Sequence, residues 1–174
     1  MSEKNALALS IGVLGALAVL LTAKVIEVPV WVVFIAWASF FILGGGVSGL
    51  LRSVLSNLTG IAIASLAVLI SQQANFGVLL TAIAVGAGSA LMVQASRAKL
   101  LTKIPAIVWG FASTVGTVAV TGRSVVYTDS IGNPVLMVAT AMLLGGAFGI
   151  VSEQIAKMLT KQRVAIPATQ VVTK

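Results

Sequence analysis

The chain has no cysteine and no histidine among its 174 residues. Disulfides, thiolate nucleophiles and imidazole metal ligands are therefore excluded, as is histidine acting as a general base or pH sensor. Charge is equally scarce. Charged residues make up 9% of the chain and only four are acidic, whereas soluble domains carry roughly 25% charged residues. With one aspartate and no paired carboxylates in an apolar segment, no acid–base pair, metal set or nucleophile–base arrangement is available, so an enzyme is not expected. No cofactor or metal is expected either.

What remains is apolar: 59% of the residues are hydrophobic. A water-soluble chain of this size could not cover its surface with so little charge, and contact with lipid removes that requirement. The net charge of +7 sits at the ends of apolar runs rather than in basic patches interleaved with aromatics, which argues for membrane topology and against nucleic acid. Residues 6–21 follow Glu3 and Lys4 without a clear cleavage motif behind them, and read as a retained first helix.

A spanning helix needs about 20 apolar residues. The runs 5–25, 47–71, 76–95, 104–122 and 134–159 meet or approach this. A sixth, 29–43, is short. Pro29, Pro105 and Pro134 suit the first turn of a helix, where a missing N–H costs nothing. The expected fold class is all-α: a polytopic transmembrane bundle of about six helices forming one domain over residues 1–160. A basic polar tail occupies 161–174. The second run ends at Gly44-Gly45-Gly46, a place for the backbone to bend, so a short or broken helix is expected near Gly44–Asn57.

Six crossings place both termini on one side. Lys4, Arg52, Arg97, Lys99, Lys103, Lys157, Lys161, Arg163 and Lys174 then share that side, with Lys24 and Arg123 opposite. The positive-inside rule makes the richer side cytoplasmic. A five-crossing alternative folds residues 44–57 back as a re-entrant segment. Two internal likenesses point to a 3+3 inverted repeat of the kind common in transporters. Runs two and five both open at a proline and carry an aromatic-Ala-Ser step, Trp37-Ala38-Ser39 and Phe111-Ala112-Ser113. Runs three and six both have mid-helix glycine, Gly60 and Gly145-Gly146.

The most polar stretch inside an apolar run is Arg52-Ser53-x-x-Ser56-Asn57-x-Thr59. Ser53, Ser56 and Asn57 share a helix face and should turn away from lipid. Behind the glycine turn, Arg52 and the free N–H groups of a helix start would suit an anion or polar solute; an interfacial anchor with interhelical hydrogen bonds is the plainer reading. Trp31, Phe34, Trp37 and Phe41 fall on an arc of roughly 120°, which could wall a narrow slot or simply pack. Gly45-x-x-x-Gly49, Gly86-x-Gly88 and Gly145-Gly146-x-x-Gly149 allow close helix contacts. Glu153 and Lys157 have the favourable order for an i,i+4 pair.

The second half carries Val93-Gln94-Ala95, Leu100-Leu101, Ile104-Pro105-Ala106, Phe111-Ala112-Ser113-Thr114 and the Gly145-Gly146-x-x-Gly149 helix. With the aromatic run before a glycine turn and Gly49-Leu50 after it, the chain resembles the domain of unknown function 1097 family of small bacterial inner-membrane proteins. Where members often have one or two glycines at the turn, this chain has three. The resemblance implies a bacterial inner-membrane location and no established activity.

The expected function is a homo-oligomeric channel or facilitator for a small polar solute, neutral or anionic. Its path would be lined by Arg52, Ser53, Ser56, Asn57, Thr59, Trp31, Phe34, Trp37 and Phe41, with the backbone bend at Gly44, Gly45 and Gly46. The alternative is a non-transporting subunit that stabilises or regulates a partner complex. Lipid binding, from the basic side of the membrane, is a third idea.

Overall fold

The computed structural model describes residues 1–73, 77–127, 130 and 132–161. Asp129, the link 74–76 and the tail 162–174, with Arg163 and Lys174, lie outside the described residues, as do the side chains of Gln73 and Lys161.

Ser2 opens the first helix, its Oγ accepting the Asn5 N–H at 3.3 Å; such a cap satisfies one of the orphan donors of a helix start. Helix α1 spans Glu3–Leu21 and widens into a π-helical turn, Thr22–Ile26. Glu27 then turns left-handed (φ 52°) ahead of Pro29. Five more helices follow: α2 Val30–Ile42, α3 Gly46–Gln73, α4 Gly77–Ala95, α5 Ile104–Thr121 and α6 Pro134–Lys161. Five of the six are long and apolar enough to cross a membrane, and α2, at 13 residues, is shorter. The protein is therefore a helical transmembrane bundle.

The structure replaces the re-entrant alternative. Residues 46–57 are the opening turns of one continuous helix of 28 residues, about 42 Å long at about 1.5 Å per residue. Gly44, Gly45 and Gly46 all have positive φ (97°, 66° and 62°), a region that other residues enter only at a cost. The chain reverses in three residues, and a full-length helix can begin at once. At about 20 Å, α2 is shorter than the hydrocarbon core of roughly 30 Å. It tolerates this because it is an interior helix: Val32, Val33, Ala36, Trp37, Ser39 and Phe40 are all buried.

Packing is ordered in pairs. Helix α3 lies most extensively on α5, and α2 on α6; α4 covers α3, and α1 covers α6. Each pair is the image of the other if helices 1–3 map onto helices 4–6. Side chains follow the same mapping. A Cβ on Gly60 would lie 1.9 Å from the Ile107 carbonyl, 2.7 Å from the Phe111 nitrogen and 3.0 Å from Gly110. One on Gly145 would lie 2.2 Å from the Val33 carbonyl, 3.1 Å from the Trp37 nitrogen and 2.6 Å from Ala36. Val33, Ala36 and Trp37 each stand 74 positions before Ile107, Gly110 and Phe111. The buried stripes of the outer helices keep the same spacing, Ser10, Leu14 and Ala18 on α1 against Ala84, Gly88 and Met92 on α4. Three helices per unit make the second copy inverted relative to the first.

The ends of the bundle agree with six crossings. At one end Glu3, Gly44, Gly45, Glu153, Lys157 and Thr160 surround a single cleft. At the other, Ser124 of the α5–α6 loop donates to the Gln72 side chain at 2.6 Å. That loop is braced by Arg123, which donates to the Gly132 carbonyl at 3.0 Å and stacks over Tyr127. Asn133 completes it by capping α6, its Oδ1 accepting from Val135 N at 2.8 Å.

Candidate functional site

The polar stretch of α3 turns inward. Ser53, Ser56 and Asn57 are essentially without exposed surface, because hydroxyl and amide groups left in hydrocarbon would lose their hydrogen bonds. Ser39 of α2 meets them. Ser53 Oγ donates to Ser39 Oγ at 2.8 Å, Ser39 Oγ donates to Asn57 Oδ1 at 3.4 Å, and Asn57 Nδ2 donates to Ser53 Oγ at 3.4 Å. The three side chains close a ring between α2 and α3. Two of its three bonds are long, so the Asn57 amide, with two donors and an acceptor oxygen, keeps unused capacity. Beside it the backbone of Asn57 touches Gly110 of α5, where a Cβ would lie 2.0 Å from the Asn57 carbonyl.

Several other polar atoms in the interior have no hydrogen-bond partner: Ser56 Oγ, Ser113 Oγ, Thr117 Oγ1 and Arg52 Nε. The three hydroxyls belong to residues at most 1% exposed. Leaving such a group unpaired costs about 1–3 kcal/mol, so each of them departs from the rule that buried polar groups are paired. Thr59, by contrast, is engaged locally, its Oγ1 donating to Leu55 O at 2.8 Å.

The anion site expected at the start of α3 is already filled by the protein itself. Glu153 Oε2 accepts the Gly46 N–H at 2.7 Å and Oε1 pairs with Lys157. A carboxylate at a helix N-terminus is held by the free N–H groups and the positive end of the dipole. The Glu153–Lys157 pair thus ties the end of α6 to the glycine turn.

The aromatic stripe of α2 does not join the polar ring. Ser39 lies about 140° round the helix from Phe34 at 100° per residue. Trp37, 3% exposed, stacks between Phe34 and Phe148, with centroids 6.0 and 5.4 Å away. Its Nε1 donates to Ser152 Oγ at 3.0 Å. Trp31 rests on Gly116 of α5. Phe34, Trp37 and Phe41 share a groove with Ile11 of α1. The expected lining residues therefore separate: the polar ones lie on α3, with Ser53 and Asn57 turned to Ser39 of α2, while Phe34, Trp37 and Phe41 face α1 and α6 and Trp31 faces α5. Ser39, Ser113, Thr117 and Ser152 belong to the polar interior, although single hydroxyls in apolar runs carry little signal of their own. Among the described residues, no three His, Cys, Asp or Glu side chains come together.

An all-helical bundle of two inverted three-helix units, with its polar side chains turned inward, defines a polytopic membrane protein. The chain matches the profile of a family described as "Protein of unknown function (DUF1097)" over residues 8–157, which takes in nearly all of the six helices, and it belongs to that family. No curated protein and no solved structure matches it.

Proposed function

We propose that the protein is a non-enzymatic facilitator for a small polar solute, acting as a homo-oligomer in a bacterial inner membrane with both termini in the cytoplasm. One observation carries the reading: a loosely bonded Ser39–Ser53–Asn57 ring accompanied by unpartnered, buried hydroxyls at Ser56, Ser113 and Thr117. A neutral solute that both donates and accepts hydrogen bonds suits this interior better than an anion, because Glu153 occupies the helix start behind the glycine turn. The inverted repeat supports the same reading, since binding sites of transporters with this symmetry lie near the repeat interface. Scarcity of carboxylates in the spanning segments favours passive conduction over proton coupling.

Gly12 and Gly86 favour the homo-oligomer. They occupy equivalent positions on the outer helices α1 and α4, with open space beside each, and glycine on a lipid-facing surface lets another helix approach closely. The same surfaces would serve the second reading, a subunit that docks on a different membrane protein.

Stopped-flow light scattering on protein reconstituted in liposomes tests the proposal, with urea, glycerol, ammonium and formate as probes. The expected result is faster entry of a neutral solute than into empty vesicles, lost on Asn57→Leu. Equal rates with and without inserted protein for every solute would overturn it and leave the subunit reading, for which a stoichiometric partner co-purifying in mild detergent is the evidence to seek.

A further inference from the structure

The seam between α1 and α2 is the least filled contact between consecutive helices in the first half of the bundle, and its contents are unlike those of the polar interior. Two cavities lie along it and share Phe41. The inner one, about 230 Å³ in volume, is walled by Ile11, Phe34, Trp37, Ala38 and Phe41. The outer one, about 430 Å³, opens at the end of the bundle where α1 begins and α6 finishes. On α1 the lining positions 3, 7 and 11 recur every fourth residue, and on α2 positions 34, 37, 38 and 41 keep one face. Together they make one groove that is closed at its inner end, where Phe34 comes within 3.7 Å of the Cβ position of Gly15.

We propose that this groove holds one acyl chain of a zwitterionic aminophospholipid, with its headgroup in the charged mouth. From position 3 to position 15 of α1 is about 18 Å, slightly more than the roughly 15 Å half-thickness of a bilayer core. The groove is thus as deep as one leaflet. Its walls are wholly apolar along that depth, and its wide end alone carries charge. Lys157, 64% exposed, presents an ammonium to a phosphate. Among the described lining residues, Glu3 on α1 and Glu153 on α6 flank it with two carboxylates against that one cation. A headgroup bearing both a phosphate and an amine complements this set, whereas one carrying only negative charge meets an excess of carboxylate.

The inverted repeat supplies an internal control. Mapping α1 and α2 onto α4 and α5 places Gly77 where Glu3 stands, and mapping α6 onto α3 places Val68 and Gln72 where Glu153 and Lys157 stand. Phe34 and Phe41 become Val108 and Val115. The charged mouth, which α6 completes, and the Phe34 and Phe41 rings have no counterpart at the equivalent seam of α4 and α5, where Phe111 alone keeps an aromatic side chain. Their coincidence is what a site for one amphiphile requires and what general lipid contact does not. The assignment is independent of the solute reading, because the groove and Ser39 occupy opposite faces of α2.

Tryptophan fluorescence tests it in the full chain. A protein carrying Trp31→Phe and Trp109→Phe keeps Trp37 alone in the groove wall. It is reconstituted in vesicles containing either phosphatidylethanolamine or phosphatidylglycerol with brominated acyl chains, at equal mole fraction in the same unbrominated background. The expected result is several-fold more effective quenching by the brominated phosphatidylethanolamine. Ala38→Phe, which fills the groove at an exposed position, abolishes the difference, and Ile11→Phe does the same should the first variant fold poorly. Glu3→Gln narrows the preference without removing quenching. A protein with Trp31 alone, 40% exposed, reports ordinary surrounding lipid and should respond to both lipids alike. Equal quenching of Trp37 by both lipids, or quenching indifferent to Ala38→Phe, would overturn the proposal, as would no quenching by either.

Discussion

The two halves of this protein share a backbone plan and differ in what fills it. Ser39 and Ser113 occupy equivalent places on α2 and α5. In the first half Ser39 meets Ser53 and Asn57. The positions matching those partners on α6 are Val138 and Met142, so Ser113 has nothing to bond and stands among the unpaired buried hydroxyls. Trp37 bonds to Ser152, whereas its counterpart Phe111 packs on Gly88 beside α3 and needs no partner. The glycine crossings, by contrast, are preserved in both halves. The lesson is that backbone geometry is carried by what must be absent, a side chain at Gly60 and Gly145, while the polar ring is built from what one copy alone retains.

The largest effect should come from those crossings. Gly60→Ala and Gly145→Ala each force a Cβ into a carbonyl that cannot move without its helix. Each should cost at least about 3 kcal/mol, seen as lost monodisperse protein in detergent or a steep fall in unfolding midpoint. In the monomer dispersed in detergent, Gly12→Ala and Gly86→Ala, facing open space, should leave the midpoint unchanged. Tolerance of Gly145→Ala beside intolerance of Gly60→Ala would break the equivalence of the halves.

Next is a transplant. Ser53→Val with Asn57→Met gives the first half the residues of the second. It orphans Ser39 and should cost about 1–3 kcal/mol, while solute flux falls to that of empty vesicles. Adding Ser39→Ala should recover most of the stability and none of the flux. Recovery of flux would show that the ring is structural only.

A smaller effect is expected at Trp37. Ser152→Ala leaves a buried indole N–H unpaired, at about 1–3 kcal/mol, and Trp37→Phe alone costs about 1 kcal/mol. The pair together reproduces the apolar contact of the second half, so the double variant should be markedly less destabilised than the sum. Additive losses in chemical unfolding would contradict the bond.

The smallest effect, and the one with opposite sign, is at Ser113. Removing an unpaired hydroxyl should be neutral or stabilising by up to about 1 kcal/mol, whereas Ser39→Ala should destabilise by about the same amount. Thermal midpoints of the two variants, measured side by side, check it.

Much of this was legible in the residues. Long apolar runs mark five helices, proline opens two of these and the short sixth, and the mid-helix glycines at Gly60 and Gly145 mark the repeat. The inward face of Ser53, Ser56 and Asn57 follows from spacing and from the cost of polar groups in lipid. The rest depended on tertiary contacts that spacing cannot carry. Gly110 looks like any glycine in an apolar helix until Asn57 is set against it. Glu153 pairs locally with Lys157, and nothing in the chain order announces that it also reaches Gly46, 107 positions away. The aromatic arc on α2 was visible, but not that Phe34, Trp37 and Phe41 face α1 and α6 while Ser39 faces α3.

Inversion of the two halves, with six crossings between them, fixes on which face of the membrane each loop must lie. The chain has no cysteine of its own, so single cysteines at Ser2, Ser96 and Ser124 can be labelled against a silent background. A membrane-impermeant maleimide should reach Ser2→Cys and Ser96→Cys from one face of the membrane and Ser124→Cys from the other. Labelling of Ser2→Cys and Ser124→Cys from the same face would contradict the inverted repeat.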